Sequence, residues 1–234
     1  MPDSQDAPDG QAVTVPTTPP GTTPPTPPGK APTEPLAQAR RAAAALRTLA
    51  GHLATGDMPL DDLRAIADAA ELMEEQARPY ARSSRYDGRA GLRIGSADNA
   101  VLWERHPIFG LSHPFAPPLV IERRGEAFHG EASLGPAYEG SRNNVHGGYL
   151  AALFDVMLGY AAALSGTLIA TGTMTIRYRA PVPISTSLRL ESEIGEVDGR
   201  KIRAVARLLI GDTVHAQADG LFISVGPEWF TSPD

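Results

Sequence analysis

Apolar positions divide the chain into regions of different character. Before Leu36 the only branched aliphatic residues are Val13 and Val15. So little apolar surface cannot offset the entropy of ordering a segment, which predicts a disordered tail over residues 1–35. From Leu36 the pattern turns helical. Leu36, Ala39, Ala43, Leu46, Ala50 and Leu53 form one stripe, and Leu63, Ile66, Ala70, Met73 and Ala77 form a second. Gly56, Asp57 and Pro59 lie between them, so a helical hairpin is expected over 36–81. Residues 82–124 show no period and read as a linker and packing loop, in which Phe109, Leu111 and Phe115 are expected to pack on a core.

From Gly125 the alternation sharpens. Phe128, Gly130, Ala132 and Leu134 share one strand face. Tyr149–Ser165 is apolar on every side except at Asp155, the mark of a buried helix. Ile169–Arg179 alternates again, with Thr171, Thr173, Thr175, Arg177 and Arg179 expected on one face and Met174, Ile176 and Tyr178 on the other. Three further strands follow, Ser187–Val197, Lys201–Ile210 and Val214–Val225, with turn signals at Asp198-Gly199 and Gly211-Asp212. One solution buries both the sheet face and the helix. It is an α+β domain over 125–234, with an antiparallel sheet of about five strands wrapped around one central buried helix.

Composition adjusts this picture. Of the 22 Pro among 234 residues, 11 precede Leu36 and favour extended polyproline II in the tail. The chain has no Cys, which excludes disulfides, Cys-ligated metals and a Cys nucleophile. Its net charge of −6 argues against sequence-independent binding to nucleic acid. Asp155 interrupts the longest apolar stretch and no basic leader is present, so neither a membrane span nor export is expected and a cytoplasmic location is.

The chemistry concentrates around His146-Gly147-Gly148 and Asp155. Two Gly at a helix start cost about 1 kcal/mol each relative to Ala. Either the loop needs a positive φ there, or the free N–H groups at the positive end of the helix dipole serve a developing oxyanion. A carboxylate in an apolar helix, with no cation three or four residues away, points to function. Gly148 and Asp155 lie on nearly the same helix face but roughly 10 Å apart along the axis at about 1.5 Å per residue. One copy of the helix cannot bring both to one carbonyl. Two antiparallel copies can, which predicts a homodimer with composite sites.

These residues resemble the hotdog-fold acyl-CoA thioesterases of the phenylacetyl-CoA-thioesterase type, most of all the subgroup that includes the carboxy-terminal modulator protein. The resemblance rests on Tyr138-Glu139-Gly140, on His146-Gly147-Gly148 with Asp155 nine positions after the His, and on Thr171. It extends to Tyr178-Arg179-Ala180-Pro181-Val182-Pro183 and Gly199-Arg200-Lys201. It covers about residues 125–225 and implies a hotdog fold. Hydrolysis of acyl-CoA is implied too, with coenzyme A only as part of the substrate, no other cofactor and no metal. Asp155 would activate water or attack the thioester itself. The N–H of Gly148, with that of Gly147, would polarise the thioester oxygen. His146 would orient the loop and contact the thioester, a purely helix-capping His being the alternative reading, and Thr171 would hold the water. Arg177, Arg179, Arg200 and Lys201 are the candidates for coenzyme A phosphates, which Arg suits through bidentate hydrogen bonds.

Many members carry Asn or Gln six residues before the His, where this chain has Gly140. His106–Phe115 is similar to a hydroxyacyl-carrier-protein dehydratase loop only in its His-Pro and Phe-Gly pieces, without the required order or helix Glu. A non-catalytic acyl-CoA or acyl-carrier-binding protein stays open as an alternative, as does a hydratase, and so does a dimer of dimers.

Overall fold

In the computed structural model of the chain, residues 33–84, 100–226 and 229 are described. Most of the Pro/Thr-rich tail and Arg85, Arg89 and Arg93 lie outside them. Two long helices come first, α1 (Glu34–Thr55) and α2 (Leu60–Ala77), followed by a short helix α3 (Ala100–Glu104). The strands are β1 (Val120–Arg124), β2 (Ala127–Ser133), β3 (Ile169–Tyr178), β4 (Ser187–Asp198), β5 (Lys201–Ile210) and β6 (Thr213–Ser224). Helix α4 (Gly147–Ala162) lies between β2 and β3 in sequence.

All neighbouring strands pair antiparallel, in the order β1-β2-β4-β5-β6-β3. This is the hotdog arrangement, with one strand more than expected. The additional strand, β1, falls within the segment read as linker. Its sequence, Val-Ile-Glu-Arg-Arg, buries only Ile121, so it carries no alternation that a sequence pattern could reveal.

The sheet is shaped for its helix by residue size. One transverse row reads Phe128, Ser192, Ala206, Ala218, Ile176, and the next reads Ile194, Ala204, Gly220, Met174. Small side chains in the middle strands and large ones at the margins leave a trough in which α4 seats Leu153, Phe154, Met157 and Leu158, each fully buried. Buried Ser192 donates its hydroxyl to the Met157 carbonyl at 2.8 Å, so its polar atom is satisfied. Gly130 marks a close contact between the sheet and α4. A Cβ there would sit 3.0 Å from Met157 Sδ and 3.1 Å from Leu119 Cδ1. Gly130→Val is expected to lower stability by about 1–3 kcal/mol through overpacking, read as a fall in the urea midpoint at unchanged slope.

Residues Gly147–Ser165 are long and apolar enough by length and composition to cross a membrane. Eight residues of α4 are nevertheless buried in the fold, and its composition is that of a core helix. Burial on every side does not hold. Gly148 and Asp155 are exposed and Ala151, Ala152 and Gly159 are half-buried, so one stripe of α4 is left uncovered by the described residues.

The N-terminal helices form where their stripes put them, but the stripes do not pack on one another. Helix α2 buries no residue, and its Leu72 and Met73 are exposed. Helix α1 docks instead through Arg40, Ala43, Arg47 and Gly51, a face shifted round the helix from the apolar stripe, and leaves Leu46 and Leu53 exposed. Polar anchors and small residues, not aliphatic bulk, choose the docked face. In the loop before β1, Phe109 is buried as expected, whereas Phe115 is 71% exposed. The Phe115 ring stands edge to face with the His113 ring at 5.9 Å.

Candidate active site

Between β2 and α4 the chain makes a 3-10 turn, Pro136–Tyr138, and then the Gly-rich approach to the helix. The Tyr138 carbonyl accepts the His146 N–H at 2.9 Å, and the Val182 carbonyl accepts the Val145 N–H at 2.8 Å. Gly140 is there for space. A Cβ at this position would lie 2.6 Å from His146 Cα and 2.9 Å from its Cδ2, so the His146 ring excludes an Asn or Gln side chain. Asn143 takes a left-handed φ of 61° and donates its N–H to the Glu139 carboxylate.

His146 caps α4, its Nδ1 accepting the Gly148 N–H at 3.0 Å. The main donor expected from the sequence is therefore engaged. Among the described residues the Gly147 N–H has no acceptor, and it is the open donor at the helix start. Tyr178, not singled out from the sequence as a site residue, donates its hydroxyl to the Gly147 carbonyl at 3.0 Å and ties the helix start to the end of β3. It stands within the matching Tyr-Arg-Ala-Pro-Val-Pro stretch, a signal that could have found it.

Two turns along, Asp155 projects from the uncovered stripe of α4. Thr171 donates its hydroxyl to Asp155 Oδ1 at 3.0 Å, joining two residues picked out by sequence. The expected burial of this carboxylate does not occur in one chain, where Asp155 is exposed. The expected face of Thr171 is also corrected. Thr171 pairs with Phe222 and Thr173 with Leu221, so Gly172 is an extra bulge residue. The bulge resets the alternation and turns Thr171 to the helix side, opposite Thr173, Thr175 and Arg177.

The cationic candidates divide into two groups. Arg177 pairs with Asp219 at 2.9 Å, and Arg179 donates to Gln217 at 2.9 and 3.1 Å. Both guanidiniums thus engage the outer face of the sheet, not the side that carries Asp155. Asp219 and Gln217 also line a shallow concavity of about 320 Å³ on that outer face, with His129, Glu191 and Arg207. Arg200 and Lys201 lie at the Asp155 end: Arg200 Nε donates to the Ser224 carbonyl at 3.0 Å, and Lys201 pairs with Ile223, the partner of Ala170. Among the described residues no group of three or more His, Asp or Glu could hold a metal ion.

This constellation offers a carboxylate oriented by a hydroxyl, an open N–H at the positive end of a helix, and two cations beyond the carboxylate. Residues 142–215 match the model of the thioesterase superfamily. The chain is 30% identical over 96 residues to the acyl-coenzyme A thioesterase THEM4 of Bos taurus, covering 40% of this chain and 39% of the relative. It is 27% identical over 93 residues to the acyl-coenzyme A thioesterase THEM5 of Homo sapiens, covering 39% and 38%. The chain thus spans about two fifths of the length of these curated relatives. A crystal structure of a thioesterase superfamily protein superposes with a TM-score of 0.69 at 27% identity, over 85% of this chain and 93% of that one. That likeness extends well beyond the matched segment.

Proposed function

Since residues 142–215 match the thioesterase superfamily, we propose that this chain hydrolyses acyl-CoA thioesters to the free acid and coenzyme A. The observation that carries this reading is the Thr171–Asp155 hydrogen bond on the uncovered stripe of α4, in line with the open N–H at the helix start. The Thr171 proton is committed to Asp155 Oδ1, which leaves Oδ2 for a water. Asp155 takes a proton from that water as its oxygen attacks the thioester carbonyl carbon. The Gly147 N–H and the helix dipole hold the charge that develops on the carbonyl oxygen. The Gly148 N–H joins them when the His146 ring turns away. The C–S bond then breaks, and the coenzyme A sulfur leaves with the proton that Asp155 took up.

The Gly147 N–H and the Asp155 carboxylate stand too far apart on one helix for one carbonyl, roughly 12 Å along the axis at about 1.5 Å per residue. A second copy removes the difficulty, and two features support it. The uncovered stripe of α4 lies beside β3, whose outer edge has no partner strand among the described residues. Pairing two β3 edges antiparallel sets two α4 helices antiparallel, with Gly147 of each beside Asp155 of the other. Arg200 and Lys201, at the Asp155 end, are then placed for coenzyme A phosphates.

Purified protein given a panel of aliphatic and aryl acyl-CoAs is expected to release free thiol with at least one of them, at rates proportional to enzyme. Saturable binding without thiol release indicates a carrier or sensor instead. Consumption of an enoyl-CoA without thiol release indicates a hydratase.

A further inference from the structure

The geometry points to a role for α1 in the reaction. We propose that it is a brace that fixes the start of α4 by way of Tyr138. Its docked face meets the Pro136–Tyr138 turn directly. Gly51 is buried, and a Cβ on it would stand 3.8 Å from the Ala137 nitrogen. Arg47 donates to the His113 carbonyl at 2.8 Å, and Arg40 pairs with Glu104, so α1 also grips the loop before β1. That loop and the turn converge on one side chain. Tyr138 is 6% exposed and donates its hydroxyl to the Ala116 carbonyl at 3.0 Å. Its ring stands edge-on to Tyr149 in the first turn of α4, at 4.8 Å and 86°. Its carbonyl holds the His146 N–H at 2.9 Å. Burial pushes the Tyr138 phenol above its ordinary pKa, and the Arg47 charge opposes that shift from nearby.

The path from α1 to the helix start therefore runs through one residue and two hydrogen bonds. The sequence carries a trace of it. A Gly inside a helix costs about 1 kcal/mol relative to Ala, and Gly51 stands where α1 faces the Ala137 backbone. Tyr138 and Gly51 touch no reacting atom in this scheme; they are positioning residues. The kinetic side of the proposal rests on the thioesterase reading, whereas its structural side does not.

The test uses the full chain. Gly51→Ala fits the 3.8 Å gap as an ordinary van der Waals contact. Gly51→Leu does not fit, and Gly51→Leu with Arg47→Ala removes two anchors at once. In the double variant the amides of His146 and Gly148 are expected to exchange with deuterium at least about ten-fold faster, and kcat to fall about ten-fold with KM within about two-fold. The Ala204 amide in β5 should keep its rate, which separates local loosening from global destabilisation. Gly51→Ala should keep the wild-type kcat and KM and show no acceleration of exchange at His146 or Gly148. Unchanged exchange at His146 and Gly148 in the double variant overturns the brace. So does an acceleration shared equally by Ala204. Absence of thioester turnover in the wild-type protein overturns the functional reading alone, because the exchange comparison still decides the brace.

Discussion

Asp155→Asn is expected to leave a folded protein whose kcat/KM for thioester hydrolysis is about a thousandth of wild type or less. A positioned general base contributes about 10²- to 10⁴-fold, and the amide cannot accept the proton from water. The fold should tolerate the change. Asp155 is exposed in the single chain, and its hydrogen-bond partner is the Thr171 hydroxyl, which an Asn oxygen still accepts. The loss in unfolding free energy should therefore stay within about 1 kcal/mol, the worth of one such bond. Thr171→Val keeps the carboxylate and loses only its orientation, so a fall of about ten-fold is expected. Thiol release and a thermal melt on the same preparations check both. Turnover above a tenth of wild type in Asp155→Asn sinks the role of the carboxylate.

A heterodimer of two inactive variants should regain activity. Gly148→Val places a side chain against His146 Nδ1, which already lies 3.0 Å from where a Cβ would be, and across the mouth of the helix start. Alone, Gly148→Val and Asp155→Asn should each be nearly inactive. If each site takes its carboxylate from one copy and its N–H donors from the other, a heterodimer contains one site with both defects and one with neither. Co-expressed with different tags and purified through both, it should show about half the wild-type activity per dimer. Activity from a defect-free pairing cannot arise if each site draws on one copy only. A pure heterodimer as inactive as its parents rules out the composite site.

Much of this was legible from local pattern. The hairpins at Gly199 and Gly211 stand where the turn signals put them, both with positive φ. The inward positions of β2 and the extent of α4 follow from the period of their apolar residues. What the pattern hid has physical causes. Strand β1 is exposed at four of its five positions, so no burial rhythm marks it. Parity along β3 misled because the bulge at Gly172 adds a residue without adding a pair. The apolar pattern of α4 promised burial for Asp155, but the described residues of one chain do not supply the cover. Spacing left His146 between a capping and a substrate-facing role, and its Nδ1 accepts the Gly148 N–H as a cap.

The two margins of the sheet also differ in a way that bears on how many copies assemble. Strand β1 offers five residues, three of them charged, with an ion pair between Arg124 and Glu122 at 3.1 Å. Strand β3 offers ten residues and is uncharged from Ile169 through Ile176. Charge guards the first margin against strand addition and leaves the second receptive. A protein with two receptive margins would grow without limit into filaments. One with a single receptive margin, as in the composite dimer proposed above, would satisfy it in one pairing, and growth through the sheet would end at two.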